Sequence, residues 1–166
     1  IIADLAIWVA GAVSVPLYPT LLADSVRLIL EHSESKLLFV GKLDDWDIMK
    51  DGVPDGLKQV AFSLAPDEVR DKAPVWTDIV AKQEPLAEAA APQPDDLATI
   101  IYTSGTTGVP KGVMHQYKSM SAVGAKVIQV YNLEPTDRMI SYLPLSHVAE
   151  RAAVEMALLY VGNTVY

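Results

Sequence analysis

The chain of 166 residues has no cysteine. Disulfide staples, thiolate metal sites and thiol nucleophiles are therefore excluded, and a cytoplasmic setting is expected. Positive charge is also scarce: 13 Lys and Arg stand against 21 Asp and Glu, a formal net charge of -8. A nucleic-acid surface needs clustered positive charge, so nucleic acid is not an expected partner. A single local loop in a negative protein can still attract an anion. No apolar run is long enough to span a bilayer. The opening stretch, Ile1 to Leu17, is interrupted by Asp4 and has no basic flank, which argues against a targeting or transmembrane segment and leaves only peripheral membrane association open. The three histidines, His32, His115 and His147, lie far apart and show no metal-ligand spacing. There is no internal repeat, and the missing initiator Met suggests that the chain starts within a longer protein.

What is present reads as one ordinary globular core, with 51% hydrophobic and 20% charged residues. Helical spacing of Leu5, Val9 and Ala12 predicts a core-facing helix over 1–10. A short strand is expected over 13–17. A helix follows over 24–33, with Val26, Ile29 and Leu30 on one face and Asp24 in its first turn. Leu37 to Val40 reads as a buried strand, 44–50 as a weak helix and 59–63 as another strand. Residues 83–96, with Pro85, Pro92 and Pro94, read as an exposed connector. Later come a β-branched run over 97–102, a helix over 117–131 with Met120, Val123, Val127 and Val130 as a core stripe, and a strand over 139–142. The chain closes with a helix over 146–160, with Val148, Ala152, Met156 and Leu159 inward, and a strand from Asn163. Alternation of this kind predicts an α/β fold, a mainly parallel sheet layered with helices.

The chemistry is concentrated in residues 102–112. Six consecutive small residues, Thr103, Ser104, Gly105, Thr106, Thr107 and Gly108, follow the strand, and Lys111 comes shortly after. Small side chains let backbone N–H groups close around a phosphate, and glycine reaches the positive φ that an anion nest needs. The hydroxyls of Ser104, Thr106 and Thr107 add donors, and their oxygens can help hold magnesium, with Thr107 the metal candidate. Lys111 supplies a compact, mobile charge. A plain surface turn explains three or four such residues, not glycine, hydroxyl and lysine together after a buried-type strand. The Walker loop fails on spacing, because Lys111 follows Pro110 and precedes Gly112.

Tyr102-Thr103-Ser104-Gly105-Thr106-Thr107-Gly108-Val109-Pro110-Lys111-Gly112 resembles the AMP-binding core motif of the adenylate-forming superfamily: acyl-CoA synthetases, luciferases and peptide-synthetase adenylation domains. A second motif, Leu143-Pro144-Leu145-Ser146-His147-Val148-Ala149-Glu150-Arg151, resembles the next core motif of the long-chain fatty acyl-CoA synthetase branch. Taken alone, His147 reads as a helix cap or packed residue; the resemblance implies a place near the acyl substrate. The segments Gly11 to Thr20 and His32 to Lys36 are similar to the stretch that precedes the AMP-binding motif in that branch.

The resemblance implies that residues 1–166 are part of the large N-terminal domain, with the small C-terminal domain absent and the piece inactive by itself. It implies a fatty acid–CoA ligase: carboxylate and ATP form an acyl-adenylate, pyrophosphate leaves, and coenzyme A takes the acyl group. Fatty acid, ATP and coenzyme A are then the partners, with Mg2+ accompanying ATP. Lys111 and His147 are the implied catalytic-site residues, and Thr103 to Gly108 with Lys111 hold the nucleotide. No chemistry is assigned to Glu150, Arg151 or His115. A non-catalytic nucleotide- or partner-binding module is the alternative, as is a luciferase-like or peptide-synthetase relative. Acyl length is set by a pocket expected largely downstream, and oligomeric state is not legible.

Overall fold

In a computed structural model the described residues are 1–104 and 109–166, the side chain of Ser104 excepted. They form two units, one of Ile1–Pro16 with Glu88–Tyr166 and one of Leu17–Ala87. The first holds α1 (Ile2–Val9), β3 (Leu97–Ser104), β4 (Pro110–Gln116), α6 (Tyr117–Tyr131), β5 (Arg138–Met139) and β6 (Thr164–Val165). It also holds a closing helix made of α7 (Val148–Glu150), a π turn (Arg151–Glu155) and α8 (Met156–Val161). The second holds α2 (Ala23–His32), β1 (Leu37–Val40), α3 (Trp46–Met49), a 3-10 turn (Lys50–Gly52), β2 (Lys58–Ala61), α4 (Asp67–Arg70) and α5 (Trp76–Val80).

In the Leu17–Ala87 unit, β1 and β2 pair in parallel from Leu37 opposite Lys58 to Val40 opposite Ala61. Val26, Ile29 and Leu30 form the buried face of α2, as their spacing predicts. Asp24 in the first turn and His32 in the last suit the helix dipole. Val26, Leu30 and Met49 make one apolar cluster; Val40, Ala61, Ala65 and Val69 make another. Phe39, Phe62 and Trp76 add an aromatic group with centroids 5.7–5.9 Å apart.

In the other unit β3 and β4 pair antiparallel, on either side of the small-residue segment. Ser104 pairs with Pro110, Thr103 with Lys111 and Tyr102 with Gly112. A register shift between Leu97 and Thr99 leaves Ala98 as an extra residue, a bulge that bends the strand. The Ala98 carbonyl accepts from the Ser14 amide at 3.2 Å and the Trp8 indole at 2.8 Å. Trp8, Ala98, Met120 and Met156 form the apolar core here. Pairing of β5 with β6 is parallel. With parallel β1–β2 and a parallel bridge between Ser14 and Thr99, the α/β class expected from the sequence holds.

Several boundaries differ from expectation, each for a local reason. The strand expected over 13–17 shrinks to the Ser14–Thr99 bridge. The next ladder donor toward β3 would be residue 16, and Pro16 has no N–H. The helix expected over 44–50 is the shorter α3, tightened into the 3-10 turn at its end. The strand expected over 139–142 ends at Met139, leaving Ile140 and Tyr142 exposed. Helices α4 and α5 carry too few periodic residues to have been read.

The stripes of the two long helices also shift. On α6 the inward residues are Met120 and Gly124, while Val123 and Val130 are exposed, Val130 at 74%. Gly124 is why: a Cβ there would stand 2.6 Å from Met156 Cβ, so the helices meet where no side chain intervenes. In the closing helix Ala152 and Met156 are inward as expected, but Val148 and Leu159 are exposed. The π turn, with i→i+5 bonds in place of i→i+4, rotates the face that follows; Arg151 and Glu155 within it are buried, as is Glu150 just before it.

Replacing Gly124 with Val is expected to destabilise the full-length protein by about 1–3 kcal/mol through overpacking, read as a lower thermal unfolding midpoint. An unchanged midpoint would show that α6 and α8 do not meet at Gly124.

Candidate functional site

The hairpin decides where the site's side chains lie. Directly opposed residues of an antiparallel pair share a face, and alternation puts every second residue on it. Thr99, Ile101 and Thr103 of β3 therefore share a face with His115, Val113 and Lys111 of β4. Thr103 and Lys111 are both exposed, and Lys111 makes no ion pair with a described residue. On the other face, the Tyr102 ring lies across Gly112. A Cβ at Gly112 would come within 2.8 Å of Ile100 Cγ2 and 3.1 Å of Tyr102 Cζ. Burial pushes the Tyr102 hydroxyl pKa above its ordinary value. Gly105, Thr106, Thr107 and Gly108, and the side chain of Ser104, lie outside the described residues; the strand ends beside them are paired at Ser104 and Pro110.

His147 is the N-cap of α7. Its Nδ1 accepts from the Ala149 amide at 3.2 Å, so the neutral ring carries its proton on Nε2 and presents an N–H donor there. The cap and a donor role thus coexist in one residue. Among the described residues no hydrogen bond or ion pair joins His147 to Lys111 or Thr103. The two motifs are contributed by separate elements of the same unit.

The same unit holds a buried polar cluster centred on Arg151. Arg151 is 0% exposed. Its Nη2 donates to Asp4 Oδ2 of α1 and, at 2.9 Å, to Ser14 Oγ. Ser14 Oγ donates to Thr99 Oγ1 at 3.2 Å, and Thr99 Oγ1 donates to the Ser14 carbonyl at 2.9 Å. The guanidinium carbon sits 5.4 Å from the Trp8 ring centroid, a cation–π contact. His115, opposite Thr99, has its pKa lowered by burial and then by the Arg151 charge. Glu155 is also 0% exposed, with Oε2 3.6 Å from Arg151 Nε, too far for a hydrogen bond. Burial, reinforced by the Asp4 charge, pushes its carboxyl up to about 8 against the opposing pull of Arg151. One cation and two carboxyls then balance, because Glu155 keeps its proton. A faint signal existed: Arg151 and Glu155 stand four residues apart in an otherwise apolar run, and Asp4 interrupts another.

The family described as "AMP-binding enzyme" matches residues 1–166. The chain belongs to that family. Among its AMP-binding relatives it is 35% identical to the fatty acyl-CoA synthetase A of Dictyostelium discoideum, over 99% of the chain and 26% of that protein. It is 33% identical to the long chain acyl-CoA synthetase 5 of Arabidopsis thaliana, over 93% of the chain and 26% of that protein. A benzoate CoA ligase crystal structure from Burkholderia xenovorans LB400 superposes with a TM-score of 0.84 at 20% identity, covering 99% of the chain and 31% of its counterpart; this likeness concerns the fold. The chain spans about a quarter of the length of the curated relatives it matches.

The buried carboxyl makes stability depend on pH. Folded, Glu155 holds its proton up to about pH 8, whereas unfolded it releases it near the ordinary 4.5. Between those values the unfolded chain binds fewer protons, so stability falls as pH rises, by at most about 1.4 kcal/mol per pH unit. Glu155→Gln is expected to flatten that fall when urea unfolding of the full-length protein is compared from about pH 5 to about pH 8; parallel slopes in both proteins would contradict it.

Proposed function

We propose that the protein carrying these residues is an ATP-dependent fatty acid–CoA ligase. A fatty carboxylate oxygen attacks the α-phosphorus of ATP, the bond to the β-phosphate oxygen breaks, and pyrophosphate leaves. The thiol of coenzyme A then displaces AMP from the acyl-adenylate, forming the thioester and giving up its proton. The observation that carries the reading is the hairpin register, which pairs exposed Lys111 with exposed Thr103 beside the Ser/Gly/Thr segment. Relatives over nearly the whole chain that bear fatty acyl-CoA synthetase names support the substrate class.

In this reading Thr103, Ser104, Gly105, Thr106, Thr107 and Gly108 line the triphosphate with amide and hydroxyl donors. Lys111 draws negative charge toward the leaving pyrophosphate, which is the demand of the step, since two anions must meet. Magnesium arrives with ATP. Among the described residues no group of three or more His, Asp or Glu could hold a metal ion; of this chain's residues, Thr107 is the one that would offer magnesium an oxygen. His147 offers its Nε2 proton to the acyl carboxylate and steadies it for attack. Among the described residues no helix is long and apolar enough to cross a membrane.

Pyrophosphate exchange into ATP, dependent on added fatty acid, is the direct test on the full-length protein; no exchange with any chain length would reject the ligase. Lys111→Ala is expected to slow exchange about 10- to 100-fold, the scale of a lost charge-assisted contact to phosphate, and full activity would remove Lys111 from the site. His147→Ala is expected to raise KM for the fatty acid about tenfold with KM for ATP little changed; the opposite pattern would place His147 on the nucleotide side.

A further inference from the structure

The two motifs must hold their substrates in line, yet no described hydrogen bond or ion pair links Lys111 or Thr103 to His147. Arg151 lies between them in covalent and hydrogen-bonded terms. It follows His147 by four residues, about one helical turn and roughly 6 Å of rise. Through Ser14 it grips Thr99, on the same face of β3 as Thr103 and four residues before it, roughly 14 Å along the strand. We propose that Arg151 is a positioning residue: its buried guanidinium sets the phosphate hairpin against the helix headed by His147, through Ser14 and Thr99, with Asp4 as its counter-ion. The catalytic consequence rests on the ligase reading; the mechanical linkage does not.

The hydrogen bonds run in one consistent direction. Arg151 donates to Ser14, Ser14 to Thr99, and Thr99 back to the Ser14 carbonyl. That carbonyl also accepts the Ile100 amide at 3.0 Å, and the Ser14 amide donates to Ala98. Side chain and main chain thus lock the same point of β3, where Ala98 and Thr99 are 0% exposed. The field of Arg151 also reaches His115 across the hairpin, so both strands sense the guanidinium. Trp8 offers a ring face to the guanidinium, whose carbon is 5.4 Å from the ring centroid, and donates its indole N–H to the Ala98 carbonyl. A lysine keeps the charge, but its ammonium turns freely on a flexible stem, whereas the planar guanidinium fixes the directions of the two Nη2 N–H donors to Asp4 and Ser14.

Because each motif binds its own substrate, a shift between them should leave binding nearly intact and cost turnover, the step in which carboxylate and α-phosphate must meet; a 1 Å misplacement is worth about 100-fold. In the full-length protein, Arg151→Lys is expected to lower kcat for palmitate-dependent pyrophosphate exchange, per active site titrated, about 10- to 100-fold with both KM values within about threefold. Ser14→Ala and Thr99→Val, milder changes to the same chain, should each lower kcat and add little to Arg151→Lys, since links in series are not additive. A kcat per site equal to wild type, KM rising in step with any loss, or full additivity would overturn the proposal. A second arm needs no substrate: with carbon-13-labelled histidine, Thr99→Val should shift the His147 ring signal in the parent background and not in Arg151→Lys. Absence of that shift overturns the linkage; its presence with no exchange by the wild-type protein upholds the linkage and rejects the ligase instead.

Discussion

A guanidinium held entirely out of water governs how this unit can be assembled. Removing an ion from water costs several kcal/mol even after relaxation, so the surroundings of Arg151 must return that energy through geometry. Asp4 supplies the opposite charge, Ser14 an acceptor and Trp8 a ring face. Each is distant from Arg151 in sequence, so the first helix and the segment after it are drawn to one point, and Ser14 adds β3 through Thr99. The second carboxyl, Glu155, would leave the cluster with excess negative charge if ionised; its raised pKa is the response. Arg151 Nε and Nη1 have no hydrogen-bond partner among the described residues, so directional contact is concentrated in Nη2.

The rest of the unit follows from that point. An apolar cluster tolerates small slides between elements, whereas the two N–H donors of Nη2, fixed in the guanidinium plane, accept few arrangements. Residues whose side chains are small or absent make the close approach possible: Ala98 at the bulge, Gly112 under the Tyr102 ring and Gly124 against Met156. Arg151 and Glu155 lie buried within the π turn while His147, at the head of the same helix, keeps a cap bond through one ring nitrogen and a donor on the other. The result is a set of buried contacts behind the exposed pair of Thr103 and Lys111.

Elements with strong periodicity were legible in advance. The α2 stripe of Val26, Ile29 and Leu30 is buried as spacing predicts, and Leu37 to Val40 pairs as a strand. Illegible were features set by partners. The α6 stripe turned toward Gly124, which hydropathy does not score as a contact residue. Leu159, which follows the π turn, lies outward because that turn changes the count per turn; Val148, which precedes it, is exposed as well. The Ser14 strand stopped at one bridge because Pro16 has no donor, a stop visible in the residue only once its neighbour strand is known.

For the site, the chain of residues alone determined the chemistry on offer: a run of hydroxyls and glycines followed by Lys111, and His147 at a helix start. Those are local properties, carried by side-chain type and by the φ freedom of glycine, and they need no partner to be recognised. Tertiary structure alone decided that Thr103 faces Lys111, that Asp4 and Ser14 meet Arg151, and that Glu155 keeps its proton. Burial and long-range pairing create those facts, because the cost of a charge depends on what surrounds it and not on its neighbours in the chain.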